Sequence, residues 1–178
     1  MFDVRPIGFA YSGFGNVDAT PVQAALNPDG SARIDLDPRF GPALADLHGF
    51  THAWLLTWLG AEADGNRPLE LRPVPFLLQQ SPRRIGLFAT RGPHRPNPIG
   101  LSLVRIERVA PPSMFVRGAD FADGTPVLDI KPYVTAFDTP FGGQVRSGWF
   151  ETVELPHGAT PEQLRGGATA KGDDHPCG

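Results

Sequence analysis

From residue 31 to 37 the chain alternates, with Ile34 and Leu36 set against Arg33 and Asp35. That period of two is the mark of a half-buried β-strand. It recurs over residues 101–109, where Val104 and Ile106 alternate with Arg105 and Glu107. Residues 50–59, FTHAWLLTWL, form the most apolar stretch and predict a buried strand. Shorter apolar pieces at 4–11, 85–90, 114–118, 126–130 and 149–155 predict the remaining strands. Asp37-Pro38 is a cap-then-proline start for a short helix through Leu47, which Gly49 stops. Residues 14–27 read as a loop and 60–66 as a turn. Pro73 and Pro75 make 69–78 an edge or an irregular extended piece. Many short strands with few helical patterns predict a mainly β domain, a barrel or sandwich, over residues 1–156. Residues 157–178, glycine-rich and almost without large apolar side chains, predict a mobile tail.

Composition narrows this picture. The chain has 178 residues, 40% of them hydrophobic, which is one domain with enough apolar side chains for a core. Its 21 glycines and 20 prolines argue against long helices, because both residues break helix interiors. Cys177 is the single cysteine, so neither an internal disulfide nor a cysteine-built zinc site is expected. No apolar run approaches the roughly 20 residues of a membrane span. The opening MFDVRPIGFA lacks the basic-then-apolar layout of a secretory signal, so a cytoplasmic protein is expected.

Charge is unevenly placed. Residues 67–108 hold eight arginines against Glu70 and Glu107, a balance of +6 in a chain whose total is −3. Arginine's planar fork suits phosphate oxygens, so this stretch is either a nucleic-acid surface or a solvated strand face.

Candidate chemistry lies in two segments. GLFATRGPHRPNPIGLSL, residues 86–103, sets Arg91, His94, Arg95 and Asn97 among three prolines. Prolines fix φ, so the loop is a pre-organised polar surface or a well-made turn. In DGTPVLDIKPY, residues 123–133, Asp129 and Lys131 lie two apart on a predicted strand, with Tyr133 next on that face. This row reads equally as an exposed ion pair beside an aromatic or as the lining of a polar site. Gly13 and Gly15 have Asp18 where a third glycine would complete a dinucleotide loop, and no strand–loop–helix unit surrounds them. His48 and His52 are four apart, but Gly49 breaks the turn between them, so no metal site is expected.

These two segments, together with LHGFTHAWLLTWL at 47–59, resemble the TrmO/YaeB-like family of S-adenosylmethionine-dependent tRNA adenine-N6 methyltransferases. The resemblance runs from about Pro6 to Leu155. It implies a single-sheet β-barrel, pairing as a homodimer, and S-adenosyl-L-methionine as cofactor. The implied reaction adds a methyl to N6 of the threonylcarbamoyl-modified adenosine beside the tRNA anticodon. The cofactor-contacting positions fall on Pro21, Val22, Gln23, Gly60, Ala61, Arg91, Leu103, Ala119, Asp120, Phe121 and Ala122. Asp123, Lys131 and Tyr133 are then the candidate catalytic residues of the acceptor side. Arg83, Arg84, His94 and Arg95 are the candidate RNA contacts. Val22 stands where members often carry a basic residue, and Gly60-Ala61 where they carry polar ones. An RNA-binding module without catalysis and a small-molecule methyltransferase on the same barrel are the competing expectations.

Overall fold

The structure, a computed structural model, describes residues 3–60, 68–79, 82–154 and 160. Six strands form one closed sheet: β1 (Gly8–Tyr11), β2 (Ser31–Leu36), β3 (His52–Trp58), β4 (Ile99–Ala110), β5 (Ser113–Arg117) and β6 (Thr125–Pro132). Their order around the barrel is β1-β2-β5-β4-β3-β6, every pair is antiparallel, and β6 closes on β1. The expected mainly β, barrel-like fold with few short helices is therefore the observed one. Each strand sends alternate residues inward. Ala10, Ile34, Leu55, Val104, Met114, Val116 and Val127 meet in the interior with no exposed surface.

Closure of so small a barrel demands close backbone approach. Gly8 pairs with Leu36 on one side and Val127 on the other. A Cβ at Gly8 would stand 2.2 Å from the Asp35 carbonyl oxygen, so no side chain fits there. Irregular pairing at Leu56/Thr57 on β3 and at Ile106/Arg108 on β4 adds the local bends that closure needs.

Three expectations change. The short helix expected through Leu47 begins where the pattern placed it but is 3-10 and broken in two, Pro38–Leu44 and Leu47–Gly49. Asp37 caps the first by accepting from the Arg39 amide at 3.0 Å, as its cap-then-proline pattern implies. Pro42 inside it has no N–H to continue a helix. The predicted strands at 85–90 and 149–155 are also 3-10 turns, Leu87–Ala89 and Gly148–Thr152. A barrel closed by six strands has no free edge to pair with them. They meet each other instead, the Trp149 indole donating to the Ala89 carbonyl at 2.7 Å. Leu155 and all of the predicted tail except Thr160 lie outside the described residues. A single α-helical turn, α1 (Thr135–Asp138), follows β6. Among the described residues no helix is long and apolar enough to cross a membrane.

Candidate functional site

Strand β3 is not buried on both faces. Ala53, Leu55 and Thr57 point inward, while His52, Trp54 and Leu56 are half-buried on the outer face. Register places His52 opposite Arg105 and Trp54 opposite Leu103 on β4, with Lys131 of β6 on the other side of Trp54. Of these, His52, Trp54, Leu103 and Arg105 form one wall of a 430 Å³ cleft. The facing wall is the 3-10 turn Ala24–Leu26 with Gln23 before it, and Gly118 to Asp120 after β5 form the floor.

The floor is tightly held. Gly118 adopts φ +87°, a left-handed conformation in which other residues are strained, and its amide donates to the Gly30 carbonyl at 2.8 Å. The Asn27 side-chain amide donates to the Ala119 carbonyl at 3.1 Å, and Ser12 Oγ donates to the Phe121 carbonyl at 2.6 Å. Ala119, Phe121 and Ala122 are buried, so of this stretch Asp120 is the residue that reaches the cleft.

Asp120 Oδ1 accepts from Ser102 Oγ at 2.5 Å, and Oδ2 accepts from the Ala24 amide at 2.8 Å. Burial pushes its carboxyl up to about 6, against the opposing pull of these two donors and of Arg91. Arg91 comes from the proline loop. Its Nε donates to Gln23 Oε1 at 2.6 Å and its Nη2 to the Leu101 carbonyl at 3.4 Å. At the other end of the cleft stand Arg105 and Arg117, which share Glu107. Hydrogen bonding by Arg117, ahead of the opposing cost of burial, holds the Glu107 carboxyl below its usual range.

Of the positions that the family resemblance marks for the cofactor, Gln23, Arg91, Leu103 and Asp120 converge on this cleft. Pro21 and Val22 precede Gln23, and the Val22 carbonyl accepts from the Gln23 side-chain Nε2 at 2.8 Å. Gly60 does not join them: it lies past the end of β3, where a Cβ would strike the Trp58 indole at 2.1 Å. Ala61 lies outside the described residues.

The acceptor row divides. Tyr133 reaches the cleft wall, its ring 6.5 Å from His52 edge-on and 6.2 Å from Trp54. Lys131 pairs with Asp129 at 2.7 Å, exposed beside Trp54. Asp123 precedes the opposite end of β6, eight residues and roughly 25 Å of strand away. There its Oδ1 accepts from the Ser12 and Gly13 amides at 2.6 and 2.7 Å. It clamps the floor loop to the end of β1 and shares no row with Lys131 and Tyr133.

On the basic loop, Arg95 Nη1 donates to the Thr90 carbonyl at 2.9 Å and the Leu87 carbonyl at 3.3 Å, which holds the loop's own shape. Arg84 pairs with Glu70 and donates to the Arg72 carbonyl at 3.0 Å. Arg83 and His94 are exposed. Among the described residues no group of three His, Cys, Asp or Glu could hold a metal ion.

His52, Trp54, Ser102 and Arg117 escaped the sequence reading as site residues. The signal that could have found the first two is the i, i+2 spacing of His52 and Trp54 on a strand whose alternate residues are small or aliphatic. Ser102 and Arg117 depend on cross-strand register, which the sequence does not display.

The cleft offers a guanidinium, an amide, a carboxylate and a flat apolar wall of Trp54, Leu101 and Leu103. That set fits an amphipathic ligand with a carboxylate for Arg91, a hydroxyl or cationic group for Asp120, and a planar part for the wall.

Comparison with known proteins agrees. The tRNA-methyltransferase O N-terminal domain model matches residues 9–139. A protein of Pyrococcus abyssi named a probable S-adenosyl-L-methionine-binding protein is 38% identical over 152 residues, 85% of this chain and 77% of that one. The tRNA (adenine(37)-N6)-methyltransferase of Mus musculus is 36% identical over 140 residues, 76% of this chain and 32% of its own. The crystal structure of TrmO from Pseudomonas aeruginosa superposes with a TM-score of 0.63 at 37% identity, covering 83% of this chain and 62% of that one. The chain thus spans less than two thirds of the solved TrmO and about a third of the mouse enzyme. With the barrel, the cleft and the matched residues in agreement, the chain belongs to the tRNA-methyltransferase O N-terminal domain family.

Proposed function

We propose that this chain is an S-adenosylmethionine-dependent methyltransferase that methylates N6 of the modified adenosine beside the tRNA anticodon. The observation that carries the reading is the convergence of Gln23, Arg91, Leu103 and Asp120, distant in sequence, on one cleft. The donor set fits S-adenosyl-L-methionine. Arg91 would hold its carboxylate, Asp120 and Gln23 its polar groups, and Trp54 with Leu101 and Leu103 its base. When bound, it supplies an electrophilic methyl on a sulfonium.

Transfer of a methyl to a nitrogen lone pair is an in-line displacement that depends mainly on positioning. The chain's part is accordingly to bind and orient. Tyr133 and Lys131, beside Trp54, border the acceptor side and face the incoming adenosine. Asp123 acts as a positioning residue, holding the loop that presents Asp120. The arginine-rich stretch around the proline loop supports binding of the RNA backbone. An anticodon-loop nucleotide can be splayed from its stack more readily than a duplex base.

The reading extends to a homodimer, which would bring a second basic stretch beside each cleft, and to the cytoplasm, where the substrate is found. Titration of the protein with S-adenosylmethionine, followed by methyl incorporation into bulk tRNA, tests the activity. Binding of the cofactor without incorporation into tRNA would turn the assignment toward a small-molecule acceptor. Absence of cofactor binding would leave an RNA-binding module. Mass spectrometry of tRNA nucleosides from a deletion strain, with and without the chain, identifies the product. Light scattering of the active protein tests the dimer.

A further inference from the structure

Phe88 is 80% exposed, on the 3-10 turn that opens the proline loop. Its neighbours Ile85 and Leu87 are buried, and the Leu87 amide donates to the Leu71 carbonyl at 2.9 Å. Thr90 Oγ1 donates to the Leu87 carbonyl at 2.7 Å, and the Trp149 indole ties down the next residue, Ala89. The backbone that carries Phe88 is thus fixed from both sides, so the ring is held out in water rather than free to fold back. Phe137 and Phe141 are at least as exposed, but among the described residues Phe88 is the one of the three with a guanidinium over its ring, that of Arg95 at 5.7 Å.

We propose that Phe88 is a stacking platform for an unpaired RNA base, with Arg95 beside it drawing the adjoining phosphate. An aromatic face beside arginine is the combination that binds single-stranded nucleic acid without reading its sequence. The fixed backbone lowers the ordering cost of binding. Arg91, three residues on, lines the cleft, so a base stacked on Phe88 belongs to a nucleotide near the one presented for reaction. A second copy of the chain is the competing occupant. Charge opposes it, because a two-fold contact at this loop would set Arg91 and Arg95 against their own copies, whereas RNA brings phosphate. The inference rests on the RNA-modifying reading and names the residue by which that site takes its substrate.

The test is anisotropy of a labelled anticodon stem-loop RNA with the full chain, beside calorimetric titration of S-adenosylmethionine and light scattering. Phe88→Ala and Phe88→Leu are expected to weaken RNA binding roughly tenfold or more. Phe88→Trp is expected to retain it, with cofactor affinity and assembly mass unchanged in all three. Leucine keeps the apolar volume without the π face, so wild-type RNA binding by Phe88→Leu would overturn the proposal. So would a fall in assembly mass for Phe88→Ala, which would assign the ring to a second copy, or a wild-type chain that does not bind the RNA. RNA binding that depends on Phe88 in a chain that transfers no methyl would sustain the platform and remove the methyltransferase reading.

Discussion

Ser102 and Asp120, 18 residues apart, share a 2.5 Å hydrogen bond that joins an inward position of β4 to the floor of the cleft. With the Ala24 amide on its other oxygen, the carboxyl is fixed in direction and lifted by burial to about 6. The ordinary carboxylate value is 3.8, so between that and 6 the native state binds more protons than the unfolded one. Asp120 therefore contributes stability that is present below about pH 4 and is lost as the pH rises through about 6. Thermal midpoints measured from pH 4 to 7 should show this fall, and Asp120→Asn should flatten it. Cofactor affinity should move the other way, rising as Asp120 ionises. An unchanged pH profile in Asp120→Asn would remove the carboxyl from both roles.

Arg91 is exposed and bonds to Gln23 and to a β4 carbonyl, not to the core. Arg91→Ala is expected to weaken cofactor binding more than tenfold, about 1.4 kcal/mol or more. The unliganded melting temperature should stay nearly constant. Arg91→Lys should recover little, since an ammonium lacks the planar fork. An early-melting Arg91→Ala would make the residue structural.

What was legible in the sequence is the part that periodicity governs. β2 and β4 show alternation because one face meets the core and the other meets solvent or the cleft. The segments at 85–90 and 149–155 carry strand-like residues too, but whether a strand forms depends on a free partner, and ring closure leaves none. The proline loop and the 123–133 segment announce themselves by composition, whereas Asp120 and its neighbours at 119–122 entered through the family resemblance alone. The site was not legible where it depends on register: Trp54 beside Leu103 and Lys131, or Asp120 beside Ser102, are relations between strands. Asp123 shows the same limit: it stands eight residues from Lys131 in sequence, and only the fold places the two at opposite ends of β6.

Asp123 supplies one oxygen to two backbone amides, Ser12 and Gly13. Both bonds are exposed, so in Asp123→Ala water takes the place of the carboxylate, at a cost of about 0.5–1.5 kcal/mol. The melting temperature should fall accordingly. Asp123→Asn keeps a side-chain oxygen for the amides and should retain most of the stability and the methylation rate. If Asp123→Asn instead melts like wild type while methylation collapses, the carboxylate itself takes part in the reaction.

The last prediction separates the acceptor side of the cleft from the cofactor side. Lys131 is 64% exposed, and its pair with Asp129 is a surface ion pair of the kind worth under about 1 kcal/mol. Its loss in Lys131→Ala should scarcely move stability. Tyr133 is packed against His52 and Trp54 through its ring, so Tyr133→Phe keeps the packing and removes the hydroxyl alone. Neither side chain is among those that line the cleft at Arg91 and Asp120. Both variants should therefore bind S-adenosylmethionine with near wild-type affinity. If Lys131 engages a phosphate or the acidic group of the modified base, and the Tyr133 hydroxyl helps to hold the adenosine, both variants should methylate tRNA more slowly. Single-turnover methylation of tRNA beside calorimetric cofactor titration reads the two effects separately. Wild-type rates in both variants would leave Lys131 as a surface charge and Tyr133 as part of the wall, and the acceptor would then have to be held from the Arg105–Arg117 end of the cleft.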